Sequence, residues 1–234
     1  MSNLNKTLIL TIAAMLVLNT GTTLAGKGRH GGGKPKSTVI SSLDNVEASH
    51  LTFMREEEKL ARDVYLSFAS IYPAQPVFNN IATKSEQTHT DTIRDKLDQY
   101  NLPDPNPATN DLPTSLGVFT GPEWGWYFNE KYQQLTKKGA ESELAALYVG
   151  AFIEELDMKD ISVCPQVMVN NGYPAICGLE YTDESTLVNT YSSLINGSEH
   201  HLRAYVGQIE AIIGTGNYVA QYLSQEEVDA ILAR

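Results

Sequence analysis

The sequence predicts an all-α protein, a four-helix bundle with a long crossover between its second and third helices and short extra helices. Three observations carry this. Apolar residues recur at helical spacing in four long segments of the 234-residue chain, whereas no stretch alternates as a strand would. The connections are uneven: a few residues join the first two long helices, while about forty separate the second from the third. Acids and histidines also fall within the apolar stripes. Glu86 and His89, three apart, share a helix side with Phe78, Ala82, Ile93, Leu97 and Tyr100. A carboxylate and an imidazole there would each cost several kcal/mol, on the order of 2–7, if left uncompensated.

The elements follow in order. Residues 1–25 read as a signal peptide, with Lys6 at its positive start, an apolar run from Leu8 to Leu18, and a small-residue cleavage site at Thr23-Leu24-Ala25. The run is too short to span a bilayer. Cleavage after Ala25 removes 25 of the 234 residues and leaves 209. The expected location is periplasmic or secreted, with no membrane contact after cleavage. Residues 26–40 form a flexible Gly- and Lys-rich linker carrying His30, and 41–234 form the bundle domain.

The first helix is expected from Val46 to Tyr72, with Leu51, Met54, Ala61, Tyr65, Phe68 and Tyr72 inward. Arg55, Glu56, Lys59, Arg62 and Asp63 make its solvated side, and Pro73 and Pro76 end it. The second begins near Val77 or Asn79 and ends around Tyr100. A polar stretch from Leu102 to Leu116 holds four prolines. Gly121-Pro122 then opens a short helix to Lys138, stopped by Gly139. The third long helix covers Glu141–Ile161 with Leu144, Tyr148, Ala151 and Phe152 inward, which puts Asp157 and Asp160 on the surface. Thr182 is placed to cap the fourth, which carries Leu187, Tyr191, Leu194, Tyr205, Ile209 and Ile212 and closes at Gly214. Ser224 with Glu227 forms a capping box for a last short helix ending at Leu232.

Seventeen basic against 28 acidic residues argue against a nucleic-acid partner, because phosphate binding needs a basic surface. The balance suits metal ions as partners and is compatible with a homo-oligomer. The two cysteines, Cys164 and Cys177, lie in one loop, and in an exported chain they suggest a disulfide. No Gly-rich phosphate loop and no G-x-S-x-G nucleophile occurs.

The candidate ligands are taken helix by helix. Glu86-x-x-His89 puts a carboxylate and an imidazole at one level of one face; the plainer reading is a buried hydrogen-bonded pair. On the first helix Glu57 and Glu58 both fall toward the apolar side, and periodicity does not separate them. On the third, the stripe centres on Glu155 with Glu154 at its edge. On the fourth, His201 aligns with Leu194, Ser198 and Tyr205, while His200 points away. Carboxylates and imidazoles without thiolate suit iron, with manganese or zinc as alternatives.

Several strings carry a resemblance. Glu58-x-x-Ala61-Arg62-Asp63-x-Tyr65 and Ile81-Ala82-x-x-Ser85-Glu86-x-x-His89 resemble the first and second helices of rubrerythrin-type proteins. Met54-Arg55-Glu56-Glu57-Glu58, Val149-Gly150-Ala151-x-Ile153-Glu154-Glu155 and Gly197-Ser198-x-x-His201-Leu202-Arg203-Ala204 resemble a bacterial and archaeal ferritin-like family of unknown function, domain of unknown function 2202. The resemblance implies a ferritin-like four-helix bundle and favours Glu58 over Glu57. Metal ligands Glu58, Glu86, His89, Glu155 and His201 are then expected around iron, in a di-iron pair. The chemistry implied is ferroxidase, oxidase or peroxide reaction, with Tyr65 a candidate catalytic residue. In this resemblance Ser198 stands where the fourth helix normally carries a second Glu-x-x-His glutamate, which leaves five ligands where six are usual. A non-catalytic bundle that sequesters metal or binds a partner is the alternative.

Overall fold

Residues 42–107 and 114–233 are described by a computed structural model; the signal-like segment and the linker with His30 lie outside the described residues. Among the described residues the chain is all helix and turn, with no strand. Helix α1 (Asn45–Ile71) starts at Asp44, whose side chain accepts from the Val46 and Glu47 N–H groups while Glu47 reaches back to the Asp44 N–H. The next segment is compound: α2 (Pro76–Ile81), a π turn (Ala82–Glu86) and α3 (Gln87–Gln99). After it come α4 (Gly125–Gly139), α5 (Glu143–Ser162), α6 (Gln166–Asn170), a 3-10 turn (Gly178–Glu180), α7 (Ser185–Ile213) and α8 (Gln225–Leu232). Glu184, rather than Thr182, caps α7 by accepting from the Thr186 N–H. Thr182 instead hydrogen-bonds Glu47 at 2.5 Å and ties the α7 entry to the α1 start.

The longest interface joins α5 to α7, and α1 packs against the 76–99 segment, α4 and α5. Gly150 permits the first of these: a Cβ there would lie 2.5 Å from the Tyr205 ring. The chain between the second and third long helical segments carries α4, which lies against both α1 and α5.

The polar side of α1 is not solvated. Arg55, Glu56, Lys59, Arg62 and Asp63 are all buried, and Asp104, Ser115 and Gly117 lie over them. Arg55 donates to Asp104 at 3.1 Å, Lys59 to the Ser115 carbonyl at 2.9 Å, and the Gly117 N–H donates to Asp63 at 2.8 Å. Lys59 also pairs with Asp63, and Arg62 donates to Asp63 and Gln87. A charged face reads as solvent-facing from periodicity alone, yet charges can be buried where each finds a partner.

Helix α5 departs from expectation in the same direction. Leu144, Tyr148 and Phe152 are only half-buried, while Asp157 and Asp160 are buried. The segment after α7 returns across α5, where Tyr148 stacks on Tyr218 and Phe152 meets Tyr222 edge-on, while Asp157 is covered by α7 through Ser198. Glu155 anchors that return. Its carboxylate accepts from the Tyr218 hydroxyl at 2.6 Å and from the N–H groups of Gln221, Tyr222 and Leu223 at 2.8, 2.5 and 2.9 Å. Cys164 and Cys177 are joined in a disulfide across the loop between α5 and α7. No helix among the described residues is long and apolar enough to cross a membrane.

Two stability outcomes are expected. Glu155→Ala leaves the 218–223 backbone donors without their acceptor and lowers unfolding free energy by about 3 kcal/mol; urea titration reads the loss, and an unchanged midpoint refutes the anchoring role. Reducing the disulfide relaxes a loop spanning 13 residues of sequence and costs about 3 kcal/mol by the loop-entropy estimate. Thermal melts with and without reductant check it.

Candidate metal centre

Glu86 lies at the end of the π turn, where one extra residue in the helical ring re-aims the side chains that follow. The Gln87 N–H reaches back to the Ala82 carbonyl, the five-residue bond that defines the turn. His89 follows one turn later on α3. From α1 comes Glu58, from α5 Glu154, and from α7 His201. Two groups of potential ligand atoms result, each gathered within 4.8 Å: Glu58, Glu86 and His89, and Glu86, Glu154 and His201. Glu86 belongs to both. All five residues are buried.

The distances show how Glu86 is shared. Its Oε2 lies 3.4 Å from His89 Nδ1, and its Oε1 lies 2.8 Å from His201 Nδ1. Glu58 Oε2 is 3.2 Å from His89 Nδ1, and Glu154 Oε2 is 3.3 Å from His201 Nδ1. The far nitrogens of both rings face one hydroxyl: Ser85 Oγ stands 2.7 Å from His201 Nε2 and 3.5 Å from His89 Nε2. Outer hydrogen bonds of this kind fix ring orientation at metal sites. The rings themselves lie 5.5 Å apart. Gly197 makes room for His89 against α7, since a Cβ there would fall 2.6 Å from the imidazole.

Burial and charge set the protonation. Burial lifts the Glu58 carboxyl to about 7 against the opposing pull of His89. Burial pushes Glu86 up as well, but the His89 and His201 imidazoles outweigh it and hold this carboxyl below its usual range. Burial works against charge on both histidines, yet the carboxylates win: Glu86 and Glu58 raise His89 to about 12, and Glu154 and Glu86 raise His201 to about 10. Burial also raises Glu154. Each imidazole is therefore protonated near neutrality and stands as the counter-ion of the carboxylates around it.

The donor set fits a divalent metal. It consists of carboxylate oxygen and imidazole nitrogen, buried and converging. Glu58 Oε1 and His89 Nδ1 are buried without a well-aligned hydrogen bond, although His89 Nδ1 is near two carboxylates.

Of the residues singled out in the sequence, Glu58, Glu86, His89 and His201 are brought together. Glu155 is a correction: it is turned to the 218–223 segment, and its neighbour Glu154 takes the place expected of it. The reason is that α5 is apolar on nearly every side, so its stripe has no unique centre. Tyr65 lies beside the centre, its hydroxyl donating to Glu154 Oε1 at 2.6 Å. Three further acids, Glu57, Asp157 and Asp160, are also buried. Glu57 and Asp160 hydrogen-bond each other, and burial raises both carboxyls, Asp160 to about 7. Asp157, three residues after Glu154, carried the spacing that marks a shared helix side, but the misplaced stripe hid it.

The likeness to known proteins spans the same region. The chain is 41% identical to Uncharacterized protein MJ0754 of Methanocaldococcus jannaschii over 191 residues, 82% of this chain and 89% of that protein. It is also similar to a solved structure, that of hypothetical protein MJ0754 from Methanococcus jannaschii DSM 2661. The TM-score is 0.65 at 37% identity, covering 85% of this chain and 98% of the other. With residues 47–234 matching its model, the chain belongs to the family described as Uncharacterized protein domain (DUF2202).

Proposed function

We propose that this protein is an exported metalloprotein of ferritin-like architecture whose bundle core holds a pair of divalent metal ions, iron foremost. The observation that carries the reading is Glu86, which contributes one oxygen to each of two ligand groups. A carboxylate shared in this way would serve two cations at once, as a bridge. Glu58 and His89 would hold one ion, Glu154 and His201 the other, so each receives a terminal carboxylate, an imidazole and half of the bridge. A redox-active pair bound there would supply electrons for reaction with oxygen or peroxide.

The chain's own residues prepare that chemistry. Tyr65 donates to Glu154 and fixes the rotation of that carboxylate, and Ser85 restrains both imidazole rings. Burial of all five ligands keeps bulk water away and strengthens each electrostatic contact. The signal-like segment and the disulfide support export, because disulfides persist in oxidising compartments.

The decisive measurement is an anaerobic titration of metal-free protein with ferrous iron, followed by exposure to air. Two irons per chain are expected in the native protein. Glu86→Ala is expected to weaken both, beyond the roughly 10–100-fold that loss of an outer-shell partner costs. Oxidation that depends on Glu86 supports an oxidase or ferroxidase; tight binding without oxidation makes the protein a metal store. Failure to bind iron, manganese or zinc overturns the reading.

The pH dependence has a defined sign. In the metal-free protein, carboxyls whose folded pKa is raised bind protons more tightly than in the unfolded chain. Glu58, raised from 4.5 to about 7, and Asp160, raised from 3.8 to about 7, therefore contribute stability below their unfolded values and lose it as pH climbs toward 7. Metal ions need the deprotonated imidazoles and carboxylates, so their affinity moves the opposite way. Melting temperature without metal should fall between pH 4.5 and 7, while the increment added by metal should grow with pH from 5.5 to 8. Parallel thermal melts read both, and a metal increment that shrinks with pH contradicts the ligand set.

A further inference from the structure

Asp157 stands one helical turn beyond Glu154 on α5, so the two carboxylates leave the same side of that helix. It is 5% exposed. Its Oδ2 accepts from the Ser198 hydroxyl at 2.6 Å, while its Oδ1 is buried with no hydrogen-bond partner. Ser198 occupies the turn before His201 on α7 and is itself buried. The arrangement thus ties Asp157 to the same α7 surface that presents the imidazole. Burial raises its carboxyl well above the usual range, and the charges of Glu58, Glu154 and Glu86, the three carboxylates of the two ligand groups, push it the same way, while the Ser198 hydroxyl opposes them. An acid held by one oxygen, with the other bare in a region of like charges, must keep a proton or take a cation.

We propose that Asp157 is a further carboxylate ligand of the metal pair, on the Glu58 side, and that Ser198 is the positioning residue that aims it. The inference rests on the dinuclear reading above and deepens it. Charge supports the assignment: Glu58, Glu86 and Glu154 bring three negative charges against the four positive charges of two divalent ions, and Asp157 brings the fourth. The short Ser198 hydroxyl on α7 leaves room for the aspartate arriving from α5 and holds it by one oxygen.

The test uses the full chain, freed of metal and titrated anaerobically with ferrous iron, in native form and as Asp157→Asn and Ser198→Ala. Asparagine keeps the acceptor for Ser198 and removes the charge. Asp157→Asn is expected to retain one iron per chain instead of two, or to bind the second at least ~10-fold more weakly, with helical circular dichroism intact. Ser198→Ala is expected to weaken the same ion less, by several-fold, consistent with an outer-shell role. The double variant with Asp157→Asn and Ser198→Glu returns a carboxylate from α7 and should restore two irons. A manganese-loaded sample gives an independent signal, since loss of one ion converts the spin-coupled spectrum of a pair into that of an isolated ion. If Asp157→Asn retains two irons at native affinity, the assignment to Asp157 is wrong while the dinuclear reading stands. If the native chain retains none, both fail. Should Asp157→Asn not fold, Ser198→Ala carries the same reading, and native affinity in that variant overturns the proposal.

Discussion

Six carboxyl groups, Glu57, Glu58, Glu86, Glu154, Asp157 and Asp160, are buried in one region of this protein, and the imidazoles of His89 and His201 are the cations that pair with them there. This imbalance constrains everything around it. Anions gathered in a low-dielectric interior must take up protons, find counter-ions or bind metal. Glu57 and Asp160 solve the problem by hydrogen-bonding each other. Glu86 solves it by standing between two imidazoles. Asp157 meets it only in part, through Ser198.

The surrounding architecture separates this region from a second charged network on the opposite side of α1. There Arg55, Lys59 and Arg62 are matched by Asp104, Asp63 and Gln87, so the cations have partners of their own. A single helix thus carries two buried polar faces with opposite needs. On one the bases are matched by acids and amide oxygens, whereas the other gathers six carboxyls around two imidazoles. Placing Arg and Lys on the first face keeps them out of the second.

Much of the arrangement is legible in the sequence, and the gaps have physical causes. Helix boundaries are legible because caps and breakers are local: Ser224 with Glu227 forms its box, and Gly139 and Gly214 close α4 and α7. Glu86 and His89 are legible as a pair because i,i+3 spacing survives the π turn. The turn itself is invisible to a pattern built on 3.6 residues. Faces are harder. On α1 and α5 the periodic argument assumes one buried side, but Asp104, Ser115 and Gly117 cover the outer face of one, and the 218–223 return covers the other. That assumption misplaced Arg55, Glu155 and Asp157 alike. Which of two adjacent glutamates reaches the centre depends on how a late stretch of chain folds back, and no local pattern encodes it.

The protonated imidazoles act as placeholders. Because His89 and His201 already neutralise the carboxylates beside them, the core can close around its acids before any ion arrives. Assembly of the polypeptide and uptake of metal become, in the proposed reading, separate events. In the proposed reading, the identity of the resident ion is then decided by supply in the compartment where the finished molecule waits, since a site of oxygens and imidazoles ranks first-row metals by their common affinity order and not by the host's preference.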